Sequence, residues 1–209
     1  MRVSTSSFET SSAKVGQCPE TDLPEYAFIG RSNVGKSSLT NMLTDRRSLA
    51  KTSRAPGKTR LINHFLINQN WYLVDLPGFG YAKVSKKDRQ SFMKLIYDYF
   101  EQRTNLVNAF VLIDSRHPPQ KPDLEFMEWL GTREIPFAII FTKIDKLSSS
   151  ELGKNVSSYK KKMLEQWEEI PPVFSTSSTS RQGREEVLNY IEHCNKIYTA
   201  SAHSRANST

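Results

Sequence analysis

Short apolar runs along the chain alternate with longer stretches whose apolar residues recur at helical spacing. The runs are YAFIG (26–30), LINHFLIN (61–68), WYLVDL (71–76), VNAFVLID (107–114), PFAIIF (136–141) and PPVFS (171–175). Between them, sets such as Phe92, Leu95, Ile96, Tyr99 and Phe100, or Leu152, Val156, Tyr159, Met163 and Trp167, fall on one stripe of a helix. Strands that alternate with helices predict a mostly parallel sheet with crossover helices. The second and third runs are separated only by Gln69 and its neighbouring Asn residues, too little chain for a crossover helix. That pair is therefore antiparallel and joined by a hairpin. The pattern predicts an α/β fold of three layers, αβα, around a mostly parallel six-stranded sheet with one antiparallel edge strand.

The two ends lack this pattern. Residues 1–21 are rich in Ser and Thr with few large apolar side chains, which predicts a mobile arm and a fold that begins near Asp22. The helical series Val187, Leu188, Ile191, Cys194, Ile197 gives way to ASAHSRANST, so residues 198–209 are expected to be a disordered tail after a domain spanning 22–197.

The 209 residues are enough for one core, and 37% hydrophobic with 24% charged residues is a folded composition. No stretch approaches the roughly 18 apolar residues of a membrane span, and the start MRVSTSSFETSSAK lacks the apolar centre of a secretory signal. A cytoplasmic protein with no membrane role is expected, and a monomer. Cys18 and Cys194 have neither the spacing of a zinc site nor the density of a disulfide scaffold, and read as free thiols.

Chemistry concentrates at the ends of the apolar runs. Gly30-Arg31-Ser32-Asn33-Val34-Gly35-Lys36-Ser37 fits G-x-x-x-x-G-K-[ST], directly after one run and directly before the helical stretch SLTNML. Glycines there let backbone N–H groups curl around phosphates at a helix N-terminus whose dipole favours negative charge. Lys36 would reach the β- and γ-phosphates, and Ser37 would ligate Mg2+. Asp75-Leu76-Pro77-Gly78 follows the run WYLV, where a carboxylate can hold the metal through water and the Gly78 N–H can sense a γ-phosphate. Thr142-Lys143-Ile144-Asp145 follows PFAII. A carboxylate accepts only, so Asp145 matches the N1–H and N2–H2 donors of guanine and opposes the N1 lone pair of adenine.

These motifs in this order, with Pro56-Gly57-Lys58-Thr59 between the first two, resemble the small GTPases of the translation-factor-related class. More closely the chain resembles the EngB family (YsxC/YihA). The likeness runs through RSNVGKSSLTNML, APGKTRLINHF, DLPGFGYA and Asp114-Ser115-Arg116-His117 leading to Asp123, Met127, Trp129 and Leu130. It covers about residues 22–197. The resemblance implies a P-loop GTPase domain that contacts GTP or GDP through Gly30 to Ser37 and Ser38, through Gly57, Lys58, Thr59, Arg60 and Leu61, and through Asp75, Leu76, Pro77 and Gly78. It further implies base contacts from Thr142, Lys143, Ile144 and Asp145 and from the loop of Ser177 and Ser178. Lys36, Thr59 and Gly78 would serve hydrolysis, with Mg2+ held by Ser37, Thr59 and, through water, Asp75. Asn33 resembles the residue that helps hold a monovalent cation in potassium-activated GTPases, which adds K+ as a second candidate ion; an ordinary turn residue is the alternative. The family implies a role in maturing the large ribosomal subunit, and an association with cell division and septation.

Gly78 is followed by Phe79, Gly80 and Tyr81, where Ras-like enzymes carry a water-positioning Gln, so slow intrinsic turnover is expected. The net charge of +7 gains meaning from its placement. From Arg46 to Arg60 stand Arg46, Arg47, Lys51, Arg54, Lys58 and Arg60 with no acidic residue, and Lys83, Lys86, Lys87 and Arg89 follow the second motif. Clustered cations neutralise phosphates and favour contact with RNA; the resemblance to the family makes that RNA the rRNA of a large subunit or its precursor. A P-loop kinase or ATPase, and a GTPase adaptor that binds RNA or protein without a ribosomal role, are the alternatives.

Overall fold

The computed structural model describes residues 1–51, 61–79 and 86–206. Seven strands form one sheet: β1 (Ser6–Ser12), β2 (Glu25–Gly30), β3 (Ile62–Ile67), β4 (Trp71–Asp75), β5 (Leu106–Asp114), β6 (Phe137–Thr142) and β7 (Val173–Ser175). Five helices accompany them: α1 (Lys36–Thr44), α2 (Lys86–Gln102), α3 (Lys121–Thr132), α4 (Ser149–Met163) and α5 (Arg184–Ala206). The strand order is β1-β3-β4-β2-β5-β6-β7. β2 pairs in parallel with β4 and β5, and β5-β6-β7 continue in parallel. β3 is antiparallel to both of its neighbours.

Successive residues of each strand serve opposite faces, as the pleat requires. Ala27, Ile29, Val111, Ile139 and Phe141 pack with Ile96, Tyr99, Phe126, Met127 and Tyr159 from α2, α3 and α4. Tyr26, Phe28, Phe110, Leu112 and Ile140 pack with Leu39, Leu43, Val187, Leu188 and Ile191 from α1 and α5. These two cores give the three αβα layers. Among the described residues no helix is long and apolar enough to cross a membrane.

Two boundaries differ from the sequence expectation. The 1–21 segment is not an arm: β1 pairs antiparallel with β3 from Ser6↔Ile67 to Ser12↔Ile62, which makes the sheet seven-stranded and moves β3 in from the edge. The β3–β4 turn supplies the anchor. Asn68 adopts φ 50°, and its side chain accepts from the N–H groups of Ser4 (2.7 Å) and Thr5 (3.2 Å) while donating to the Arg2 carbonyl at 2.8 Å. The Met1 ammonium meets Glu192 at 3.3 Å. At the other end, α5 continues to Ala206, where a tail from 198 was expected. Thr199 and Ser201 return their hydroxyls to the carbonyls of Asn195 and Ile197, at 2.9 and 3.0 Å, and Tyr198 donates to the Asp22 carbonyl at 3.0 Å. The helix thus continues through polar residues with no apolar stripe.

Candidate functional site

The site is built where the parallel strands end, on the loops after β2, β4, β5, β6 and β7, the edge of an open α/β sheet where ligands bind. The loop from Gly30 to Gly35 rises from β2 and drops into α1. A Cβ on Gly30 would lie 2.5 Å from the Leu112 carbonyl oxygen, so only glycine lets β2 lie this close to β5 at that point. Gly35, the residue before α1, has φ 115°, a region side chains avoid. No side chain caps α1 and no acidic residue sits in its first turn. Its leading N–H groups are left for an anion, with the helix dipole behind them.

Lys36 is buried, and burial lowers its pKa against the opposing pull of Asp75. Ser37 Oγ donates to Asp75 Oδ2 at 3.5 Å, while Asp75 Oδ1 is buried with no protein partner. Burial pushes the Asp75 carboxyl up to about 6, opposed by Lys36 and the Ser37 hydroxyl. A buried carboxylate oxygen without a donor beside a hydroxyl is a donor set suited to a hard divalent cation.

Beyond Asp75 the chain returns to the phosphate loop. Phe79 N–H donates to the Gly30 carbonyl at 3.2 Å and Ser32 N–H donates to the Phe79 carbonyl at 3.1 Å. A Cβ on Gly78 would stand 3.0 Å from Lys36 Nζ and 3.2 Å from both the Gly30 oxygen and the Ser32 nitrogen. The second motif therefore lies directly on the first.

The end of β6 joins the same unit. Thr142 Oγ1 donates to the Val34 carbonyl at 2.6 Å. Lys143 takes a left-handed backbone, φ 61° and ψ 31°, and its ammonium reaches the Asn33 carbonyl at 2.6 Å and Asp114 Oδ2 at 2.8 Å. Asp145 receives Ser177 Oγ at 2.7 Å, which together with Lys146 holds its carboxyl below the usual range. Ser177 Oγ in turn accepts from the N–H groups of Thr179 (3.2 Å) and Ser180 (3.1 Å). The loop reaches this position because Gly183, at φ 77°, passes so close to the Ser175 carbonyl that a Cβ would lie 2.2 Å from its oxygen.

The structure thus brings together Gly30 to Ser37, Asp75 to Phe79, Thr142 to Asp145 and Ser177. Ser178 is exposed and Ser38 continues α1. Leu61 is partly exposed at the start of β3, while Gly57, Lys58, Thr59 and Arg60 lie outside the described residues. The same holds for Arg54 and Lys83 and for the side chains of Lys86, Lys87 and Arg89; Arg46, Arg47 and Lys51 are exposed. Sequence reasoning reaches Asp114 only through the family likeness, although a carboxylate at the C-terminal end of a central parallel strand is a signal for the site's edge. A cleft of about 180 Å3 opens beside it, lined by Arg31, Asn33, Arg116, His117 and Gln120 among others.

Residues 25–143 match the family described as 50S ribosome-binding GTPase. The probable GTP-binding protein EngB of Christiangramia forsetii is 61% identical over 93% of this chain and 98% of its own length. That of Bacteroides fragilis is 60% identical over 94% of this chain and 98% of its own. Among solved structures, the crystal structure of a probable GTP-binding protein EngB covers 83% of this chain and 99% of that one, with a TM-score of 0.67 at 23% identity, a likeness of fold.

Proposed function

The chain belongs to the EngB family of GTP-binding GTPases, and from that premise we propose that it is a Mg2+-dependent GTP switch in assembly of the large ribosomal subunit. The observation that carries the guanine reading is the Asp145 carboxylate, held by Ser177 at 2.7 Å at the same edge as the phosphate loop. An acceptor fixed there suits the adjacent N–H donors of guanine. The stem of Lys143 passes Gly35 on its way to Asn33, which suits it to lie along the base.

For hydrolysis, Lys36 and the amides at the start of α1 would stabilise charge on the transferring phosphoryl group. Gly78 would report the γ-phosphate through its N–H. Ser37 and Asp75 would hold the magnesium ion with Thr59, and the ion supplies charge neutralisation between the phosphates. Phe79 offers no group to orient water, so turnover is slow. Asn33, at φ 62° on the crown of the loop, is the candidate contact for K+.

The partner is the large subunit or its precursor, supported by the family description and by exposed Arg46, Arg47 and Lys51 next to the segment that carries Thr59. Basic residues flanking a nucleotide-sensing loop would tie RNA affinity to the γ-phosphate. The association with cell division and septation is carried as a consequence for the cell, in the cytoplasm. Co-sedimentation with large subunits and their precursors, at fixed Mg2+ and graded salt with GDP, GTP or a nonhydrolysable analogue, tests this. Tighter binding with the GTP analogue, weakened by salt, is expected; equal or absent binding would leave an adaptor whose partner is not the ribosome.

A further inference from the structure

We propose that Asp114 is a positioning residue for nucleotide retention, fixing the Lys143 ammonium so that the base-flanking stem and the crown of the phosphate loop are held as one unit. This rests on the guanine-nucleotide reading of the site.

Lys143 is launched from a left-handed residue, and its stem passes the loop with Cε 3.9 Å from where a Cβ on Gly35 would be. A flexible four-carbon stem does not keep one path without anchors at its end. It has two among the described residues: the neutral Asn33 carbonyl at 2.6 Å and the Asp114 carboxylate at 2.8 Å. Asp114 ends β5, whose neighbours are β2 and β6, the strands that carry the phosphate loop and Lys143. Its carboxylate is oriented from the other side by Arg116, through Nε at 2.9 Å, Nη2 at 2.7 Å and the backbone N–H at 3.2 Å. Asp114 is 14% exposed and Lys143 28%, so their pairing is only partly screened by water. Burial opposes the charged form of Asp114, yet the bonds from Arg116 and Lys143 outweigh it and hold the carboxyl well below the usual range.

Two consequences separate this role from simple support of the fold. Asp114 acts at the base side and the crown, so GDP and GTP lose affinity together. Phosphoryl transfer at saturating GTP stays at the parent rate, raising KM without lowering kcat.

The experiment is release of a fluorescent GDP analogue from the full chain, with kcat, KM and melting temperature measured in parallel. Replacing a charge-assisted bond predicts release about 10- to 100-fold faster for Asp114→Ala. Asp114→Asn keeps an acceptor for Lys143 and is expected to fall between, at a few-fold faster. Arg116→Gln, losing only an exposed partner, stays within about fivefold of the parent. Parent-like release from both Asp114 variants at unchanged melting temperature would overturn the proposal, as would Arg116→Gln matching Asp114→Ala. Failure of the parent chain to retain GDP would overturn the underlying guanine reading instead.

Discussion

The Thr142 hydroxyl donates to the main-chain carbonyl of Val34 at 2.6 Å, tying the end of β6 to the phosphate loop. In the base-reading motif of the family's relatives this position more often carries Asn, a longer side chain with an amide. The structure gives Thr a task of its own, since its single proton satisfies a buried loop carbonyl. Thr142→Val keeps the shape and removes the donor, which is expected to destabilise the protein by about 1–3 kcal/mol. Guanine-nucleotide affinity falls with it, while Thr142→Ser stays near the parent. Chemical denaturation with GDP titration checks both.

A side chain at Gly78 would be crowded. A Cβ there meets the Gly30 oxygen and the Ser32 nitrogen, both backbone atoms, at 3.2 Å, and Lys36 Nζ at 3.0 Å. Gly78→Ala is expected to lower GTP turnover about 10-fold or more, the Cβ pushing its own segment back from the loop and the Gly78 N–H away from the γ-phosphate. GDP affinity, which needs no γ-phosphate contact, stays within a few-fold. Single-turnover hydrolysis beside GDP titration separates the two.

A buried cluster at the opposite end of β2 sets acid stability. Glu25 accepts from Tyr99 at 2.7 Å and from Arg103, and His64 Nε2 lies 3.3 Å away. Burial raises the Glu25 pKa, but His64 and Arg103 outweigh it and bring it to about 2. A depressed folded value contributes stability above the unfolded value near 4.5 and loses it as pH falls through about 2. Glu25→Gln is expected to cost about 3 kcal/mol at pH 7, with the gap to the parent closing between pH 4.5 and 2. Urea unfolding across that window decides it; a pH-independent gap would contradict the assignment.

Turnover in KCl and NaCl at equal ionic strength tests Asn33. Faster hydrolysis in K+, lost in Asn33→Ala, is expected of a cation held against the phosphates. Equal rates in the two salts would return Asn33 to a turn residue.

Much of this architecture was legible in the sequence, because strands buried on both faces read as near-continuous apolar runs and the phosphate motif declares its own strand and helix. β1 was not. Its residues, SSFETSS, are mostly polar; they are held by backbone pairing with β3, and the Asn68 side chain far along the chain anchors the residues just before them. The continuation of α5 past Ile197 was hidden for a related reason, since its residues are mostly polar or small and leave no apolar period. Within the site, Asp145 and Ser177 were named separately, and only the structure joins them. The Ser/Thr-rich stretch 176–179 gives no sign in sequence that Ser177 is buried on Asp145 while Ser178 is exposed. Asp114 escaped for the opposite reason: its partners Lys143 and Arg116 are charged residues whose convergence depends on the β2-β5-β6 pairing.

The most direct test of the guanine-switch account is displacement of a fluorescent GDP analogue from the purified chain by GTP, ATP and XTP, in the parent and in Asp145→Asn. The account predicts that GTP displaces the probe at far lower concentration than ATP, and that Asp145→Asn, which exchanges an acceptor for an amide donor, weakens GTP and favours XTP. Equal displacement by ATP and GTP in the parent would contradict it and point to a P-loop enzyme with a different base pocket.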